Sequence, residues 1–491
     1  MTTPATQDPR ARQVPSCGRQ PQCADPVELN SARGRWLLAA AVLGTGMAFL
    51  DGTVVNVALR EIGSDLDASM ADLQWVLNSY LLALASLILV GGSLGDRLGR
   101  RRMFIVGVVW FAIASAACAL APNPETLIVG RAVQGIGAAL LTPGSLAMMQ
   151  GSYRPEDRAR AIGMWSGMAG VSTILGPFLG GGLVQTVGWP YIFWINVPIA
   201  IAIVAIAVRH VPESRDPQAA RRFDLLGAAL GAIGLGAITY ALIEAGTRSA
   251  ATITIATVIG VVALVAFVAS QRRPDPMVPP SMFTSRVFNA SNLLTLVVYG
   301  ALGALSFLLV LQLQVVVGYE PLVAGLATLP ITIVMLAFSS RSAALASRIG
   351  PRIQMTVGPL LCAAGAVLLV AIDADASYWI DVLPGMTLFA FGLVCLVAPL
   401  TATVLAAVPD RWAGIASGVN NAVARAGALL AVAALPVAVG LTGDDYENPI
   451  AFNDGYQSAM TVCAVLLVLG GVFGWIGLRG TSPVAPAAVS D

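Results

Sequence analysis

Two ionisable residues, Asp51 and Arg131, stand inside long apolar stretches of the sequence. Asp51 belongs to the stretch "LDGTVVNVALR" and Arg131 to "LIVGRAVQGIGAA". An ionised side chain in such a stretch is costly and usually marks a path for ions or ligands. At 1.5 Å per helical residue, Asp51 lies about 10 Å and Arg131 about 8 Å from the same face of the apolar layer. If the two stretches line one cavity, we expect Asp51 to gain and lose a proton, with Arg131 stabilising its ionised form; a helix cap is the alternative role for Asp51.

Further polar residues accompany this pair. Gln134 follows Arg131 by about one helical turn on the same face, where it can hydrogen-bond a neighbour or a ligand. Asn56 lies five positions after Asp51. Arg425 is a second cation within an apolar stretch. It either joins a charge network at a gate or only binds backbone carbonyls, and the sequence leaves both interpretations open.

The elements that position these side chains are membrane-spanning helices. The chain has 491 residues, of which 57% are hydrophobic and only 11% charged, against about 25% charged in soluble domains. The apolar runs are long enough to cross a hydrocarbon layer about 30 Å thick. Fourteen spans are predicted at 36–58, 73–94, 103–121, 126–149, 158–183, 191–208, 224–244, 252–270, 289–316, 322–342, 353–371, 380–405, 413–440 and 457–478.

The arginines orient these spans. All 28 basic residues are Arg, and 24 of them fall on one side of the predicted spans, with the N-terminus. Only Arg60 and Arg248 fall on the other side, and Arg131 and Arg425 fall within spans. Because basic residues collect on the cytoplasmic side, both termini are expected in the cytoplasm. A net charge of +1 gives no reason to expect nucleic-acid binding.

Cysteine and histidine indicate no metal site or catalytic set. Four of the six cysteines fall within apolar spans, and His210 is the one histidine. No zinc spacing, Ser/His/Asp set or phosphate-binding loop is present. The sequence therefore predicts neither a cofactor nor a metal, and it argues against an enzyme or an ATP-driven pump.

A charged turn joins the second and third spans. The stretch "GSLGDRLGRRRMF" carries four arginines and one acid, Asp96, and its arginines hold the turn on the cytoplasmic side. Asp96 is predicted to form a charge-paired latch that closes the cytoplasmic side and breaks when two halves of the molecule rock. A weak repeat supports two halves, because "LGDRLGRR" at 94–101 aligns with "LASRIGPR" at 345–352.

Taken in order, four stretches resemble signatures of the major facilitator superfamily, and in particular of its fourteen-span drug:proton antiporters. The turn matches at Gly92, Leu94, Asp96, Arg97, Gly99, Arg100 and Arg101. The fourth span matches at Leu127, Arg131, Gln134, Gly135, Gly137, Ala138 and Ala139. The fifth-span antiporter signature matches at Gly163, Gly176, Pro177, Gly180 and Gly181. The first span matches at Leu50, Asp51, Thr53, Asn56 and Ala58.

Two positions depart from these signatures. Ser172 stands where the antiporter signature usually has Gly, which bears on helix packing there. Arg60 stands where the first-span signature usually ends in Pro, in what is expected to be a loop.

The resemblance implies an all-α polytopic membrane protein with two six-helix bundles and two extra central helices. The expected divisions are a tail at 1–35, a bundle at 36–208, a linker at 209–223, the extra helices at 224–270, a linker at 271–288, a bundle at 289–478 and a tail at 479–491. The implied function is export of hydrophobic drugs or an antibiotic in exchange for protons across the bacterial inner membrane, by a monomer. An exporter of a metabolite, siderophore or lipid is the alternative, followed by a membrane enzyme or channel.

Overall fold

The computed structural model describes residues 27–215, 224–273, 276, 278–409 and 412–479. The predicted tails 1–35 and 479–491 and linkers 209–223 and 271–288 lie partly outside this set. The long helices are α1 Ala32–Leu66, α2 Met70–Leu98, α3 Arg100–Ala119, α4 Pro124–Ser152, α5 Pro155–Val187, α6 Tyr191–His210, α7 Leu225–Ile243, α8 Ala250–Ser270, α9 Arg286–Val315, α10 Leu329–Ile349, α11 Pro351–Leu369, α12 Leu383–Ala406, α13 Ala413–Ala438 and α14 Pro449–Gly477.

These helices have the length and composition of membrane spans. Thirteen helical segments among the described residues are long and apolar enough to cross a membrane. Helix α5 is not one of them, but its 33 residues lie between α4 and α6 and pack on α1. With α5 the count reaches the expected fourteen, and the expected all-α fold class is confirmed.

Helices α1–α6 pack mainly on one another, and so do α9–α14. Between the two groups, α7 and α8 form a hairpin. Helix α7 packs on α2 and α13, whereas α8 packs chiefly on α7 and is mostly exposed. The hairpin therefore lies beside the two bundles and takes no part in the packing within either.

The weak sequence repeat is visible in the backbone. Gly99 joins α2 to α3 with φ of 115°, and Gly350 joins α10 to α11 with φ of 82°. Residues other than glycine rarely adopt such positive angles. The aligned glycines thus allow the same abrupt reversal between consecutive helices in each bundle.

The two bundles are sealed together on one side of the molecule. We call the side where α1 ends and α2 begins the outer side, and the opposite side the inner side. One hydrophobic cluster runs from the outer parts of α1 and α2 across to α9. On the inner side, the buried apolar residues of the first bundle form a separate cluster. The described conformation is therefore closed on the outer side.

Polar contacts reinforce the outer seal. The Gln74 amide on α2 donates to the Val432 carbonyl on α13, 2.6 Å away. The Tyr446 hydroxyl donates to the Ala68 carbonyl at 2.6 Å. Burial, and then the neighbouring Glu447, raises the pKa of Tyr446 to about 12, so the hydroxyl remains a donor at neutral pH.

Arg60 joins the outer ends of α1 and α9. Helix α1 continues to Leu66, so the expectation that Arg60 lies in a loop is wrong. The Arg60 guanidinium donates to the Gln314 carbonyl at the C-terminal end of α9, where a cation also complements the helix dipole. The Gln314 amide in turn donates to the Val57 carbonyl at 2.9 Å. Arg60 and Gln314 therefore form a reciprocal bridge between the bundles.

We expect Arg60→Gln to open the outer side more often, because it removes a charged donor from this bridge. A hydrogen bond to a charged group contributes about 1.5–3 kcal/mol, so opening should become on the order of tenfold more frequent. The measurement is the rate of maleimide labelling of Val57→Cys, a position 1% exposed, in the purified protein. Arg248→Gln, an exposed outer arginine, is the matched control. Equal labelling rates with and without Arg60 would contradict the role of the bridge.

Candidate functional site

A buried ion pair joins α1 and α4. The Arg131 Nη1 atom lies 2.5 Å from Asp51 Oδ2, and both side chains are 1% exposed. Asp51 lies 15 residues before the end of α1, or about 22 Å along the helix axis. That position in the middle of a long helix argues against the alternative role of Asp51 as a helix cap. The structure thus brings together the two charges that the sequence placed at similar depth.

Two amides complete the coordination of the Asp51 carboxylate. Its Oδ1 atom accepts from Gln134 Nε2 at 2.8 Å and from Asn196 Nδ2 at 3.2 Å. Asn196, on α6, also donates to the Ser115 hydroxyl on α3 at 3.0 Å. Every side chain of this network is fully or almost fully buried. Four helices of the first bundle therefore hold one carboxylate.

Hydrogen bonds to its surroundings also fix the position of the Arg131 side chain. Its Nε donates to the Val76 carbonyl on α2 at 3.1 Å, and its Nη1 also donates to Gln134 Oε1 at 2.7 Å. The guanidinium lies over the Tyr80 ring, 4.3 Å from the ring centre. Gly135 lets α4 come this close, because a Cβ there would lie 2.6 Å from the Tyr80 carbonyl oxygen. The position of the Arg131 guanidinium over the Tyr80 ring therefore depends on the absence of a side chain at Gly135.

The chemistry available at this site is proton exchange. Asp51 is the one carboxylate among the described residues that lies more than about two turns from a helix end. As a carboxylate it accepts from three donors; once protonated, it is neutral and can donate. Protonation would therefore leave Arg131 with no opposite charge beside it and would reorganise the contacts of α1 with α4 and α6.

Two of the predicted site residues lie outside this network. The Asn56 amide donates to the Gly52 carbonyl of its own helix at 3.2 Å. Arg425, on α13, is half-buried and interacts electrostatically with Tyr80 and Tyr299. The structure thus places Arg425 near Tyr80 and Tyr299 and not near the charged turn between α2 and α3. We call that turn the gate motif; its residues are Gly92, Asp96, Arg97, Gly99, Arg100 and Arg101.

The gate motif pairs within the first bundle and the segment after it. Asp96 Oδ1 accepts from Arg100 Nε at 2.8 Å, one turn away. The Glu213 carboxylate accepts from the backbone N–H groups of Arg101 and Arg102 at 3.1 and 3.2 Å, which caps the start of α3. A Cβ on Gly99 would lie 2.7 Å from the same carboxylate. Gly92 and Arg97 belong to this inner end of α2 as well.

The fifth-span glycines lie at helix contacts. A Cβ on Gly180 would lie 2.9 Å from Val54 of α1, and Gly176 faces Thr53 on the same helix. Gly181 faces Leu322 of the second bundle, and a Cβ on Gly325 would lie 2.7 Å from the Pro177 carbonyl oxygen. Gly163, in contrast, faces open space. Outer-side contact between the bundles thus passes through Pro177 and Gly181.

Three members of the network were not found from the sequence. Ser115, Asn196 and Tyr80 were overlooked because uncharged polar residues are common in membrane helices. Asn196 offered one signal: it interrupts the apolar run "YIFWINVPIAIAIV" close to a proline. Among the described residues, no group of three or more His, Cys, Asp or Glu side chains could hold a metal ion.

Comparisons with known proteins agree on the family. The model of the Major Facilitator Superfamily matches residues 41–432. The chain is 35% identical over 476 residues to a puromycin resistance protein of Streptomyces alboniger, covering 92% of this chain and 94% of that one. It is 37% identical to a methylenomycin A resistance protein of Bacillus subtilis, covering 86% and 91%.

Solved structures share the fold. A POT family peptide transporter crystallised in complex with sulfate superposes with a TM-score of 0.67 at 16% identity, covering 92% of this chain and 98% of that one. A bacterial homologue of the human lysosomal transporter Spinster, in an inward-facing and unoccupied conformation, gives 0.62 at 17% identity, covering 92% and 100%. At these identities the likeness shows the fold alone.

We expect Arg131→Met to destabilise the protein by about 3–5 kcal/mol, because it leaves the Asp51 charge buried without a partner. Adding Asp51→Asn should restore most of the loss, since that change removes the unpaired charge. Thermal unfolding of both variants in detergent measures the effect. If the double variant unfolded at a lower temperature than Arg131→Met alone, the interpretation of the pair would be wrong.

Proposed function

Because the chain belongs to the Major Facilitator Superfamily, we propose that it exports hydrophobic drugs or an antibiotic in exchange for protons, by alternating access. It is a multi-pass membrane protein and a transporter rather than an enzyme. We propose the bacterial inner membrane as its location, with both termini in the cytoplasm and a monomer as the working unit.

The relatives support the exported class. Besides the puromycin and methylenomycin A resistance proteins, a tetracenomycin C resistance and export protein of Streptomyces glaucescens is 36% identical over 413 residues. By analogy, the substrate of this chain is a small hydrophobic molecule of the antibiotic type. The long apolar helices and the closed outer side suit a ligand that enters from the cytoplasm or the inner leaflet.

The observation that carries proton coupling is the buried Asp51–Arg131 pair. A carboxylate that can titrate at mid-membrane depth is the group that antiport needs. In the described state the pair is formed and the outer side is closed. Substrate enters from the inner side, and the molecule then rocks to expose both substrate and carboxylate to the outside.

Proton uptake from the outside then favours the return of the carrier to the state that is open to the inner side. A proton from the outside neutralises Asp51, which weakens its attachment to Arg131 and favours substrate release. The protonated carrier returns to the inner-open state, where the proton leaves and the pair forms again. Each proton that moves inward along a membrane potential contributes about 2.3 kcal/mol per 100 mV.

The gate motif belongs to the opposite half of the cycle. In the described state, which is closed on the outer side, Asp96 binds Arg100 of its own bundle. We propose that when the inner side closes, Asp96 and the arginines beside it instead engage the second bundle. The latch then stabilises the state that is open to the outside.

We expect Asp51→Asn to abolish substrate-linked proton flux, because an amide cannot take up and release the coupling proton. The protein is reconstituted into vesicles with an imposed pH gradient, and proton flux is followed with and without tetracenomycin C as the test substrate. Glu61→Gln removes an exposed acid from the same helix and should keep wild-type flux. A wild-type ratio of proton flux to tetracenomycin C flux in Asp51→Asn would contradict the proposal.

We expect Asp96→Asn to slow export severalfold without abolishing it, because the latch would hold the outward-open state less well. Uptake of tetracenomycin C into inside-out vesicles measures the rate. Glu213→Gln, which weakens the cap of α3 and leaves Asp96 intact, separates a general loosening of this loop from loss of the latch. A full wild-type rate in Asp96→Asn would leave the motif with only its topological role.

A further inference from the structure

Arg425 is a deeply placed cation for which the described part of the chain offers no side chain of opposite charge. It lies 12 residues after Ala413 and 13 before Ala438, so either end of α13 is about 18–20 Å away. A guanidinium stays ionised in proteins, and intramembrane charges normally have partners. Arg425 has neither an ion pair nor a hydrogen bond to any residue that the structure describes.

No described acid is available to it. Asp51, the one carboxylate at comparable depth, is engaged by Arg131, Gln134 and Asn196. One negative charge therefore faces two positive ones in the middle of the molecule. The interior carries a net charge of +1 at this level when Asp51 is ionised.

The position of Arg425 on α13 directs it between the bundles. Gly427 packs against Leu296 of α9, and Gly418 packs against Leu89 of α2. Arg425 comes seven residues, almost two full turns, after Gly418 and so lies on the face of α13 directed toward α2, which fits its electrostatic interaction with Tyr80. It also interacts electrostatically with Tyr299 of α9. The cation therefore stands at the contact between α13 of the second bundle and α2 of the first.

One aromatic ring near Arg425 is partly exposed and suits a flat ligand. Tyr80 is buried with the Arg131 guanidinium over its ring, and it interacts electrostatically with Arg425, Asp51 and Arg131. Tyr299 is half-buried on the opposite bundle. Aromatic faces bind apolar rings, and a guanidinium binds carboxylate or phenolate oxygens with strong, charge-assisted hydrogen bonds.

We propose that Arg425 is the substrate-binding cation of this exporter and that the substrate class is aromatic organic anions, carboxylates or phenolates. The proposal rests on the proposed export function and narrows it. An anion on Arg425 removes the excess positive charge between the bundles. The bound anion also contacts both bundles, so its binding affects both halves when they move relative to each other.

Two xanthene dyes of nearly equal shape and opposite charge test the charge preference. Binding of fluorescein, an anion, and rhodamine 123, a cation, is measured by fluorescence anisotropy on the purified full-length protein in nanodiscs. Fluorescein should bind the wild type at least tenfold more tightly than rhodamine 123. Arg425→Gln should lose about tenfold in fluorescein affinity, whereas Arg425→Lys, which keeps the charge, should retain most of it.

Controls separate the binding role from folding and from coupling. Arg248→Gln should bind fluorescein like the wild type, and size-exclusion profiles verify that each variant is folded. Glu61→Gln, which removes an exposed acid from α1, should also bind fluorescein like the wild type. If rhodamine 123 binds as well as fluorescein, if neither binds, or if Arg425→Gln keeps its fluorescein affinity, the anion proposal is overturned. Proton coupling through Asp51 would stand or fall separately.

Discussion

The cost of holding a charge away from water governs the arrangement of this molecule. Asp51 and Arg131 can remain ionised in the middle of the first bundle only because each satisfies the other and because amides and a carbonyl satisfy what is left. That requirement fixes the distance between α1 and α4. It also explains why Gly135, rather than a larger residue, faces α2 beside the pair. The same cost would make the ion pair sensitive to protonation, since a proton on Asp51 would leave Arg131 without an opposite charge beside it.

Much of the fold could be predicted from the sequence because hydrocarbon imposes simple rules. Length, hydropathy and the distribution of arginine predicted fourteen spans. The approach of Asp51 to Arg131 was predicted from their similar depths together with the family resemblance. The helix ends were harder to predict. Helix α1 extends two turns past its apolar stretch, and in that extension Arg60 binds the C-terminal end of α9. This contact joins residues 254 positions apart in the sequence. Asn196 was missed for a related reason: an uncharged amide becomes part of a site only through the neighbours that tertiary packing gives it.

The bundles contribute unequally to the polar interior. The first supplies the carboxylate and all of its donors, whereas the second supplies Arg425 and Tyr299. The repeat accounts for the shared turn at Gly99 and Gly350 but not for the charges. At the position aligned with Asp96 the second bundle has Ser347. The duplicated architecture therefore keeps the same turn in both bundles, while the charged residues differ between them.

The α7–α8 hairpin has a consequence for how such a chain could grow. A single helix added between the bundles would place the second bundle upside down in the membrane and would destroy the alignment of its joints with those of the first. An added hairpin leaves that orientation unchanged. Because α8 touches little besides α7, its outer surface can adapt to the surrounding lipid without disturbing Asp51 or Arg425. The hairpin thus leaves the orientation of the second bundle in the membrane unchanged, and its sequence can vary independently of the transport site.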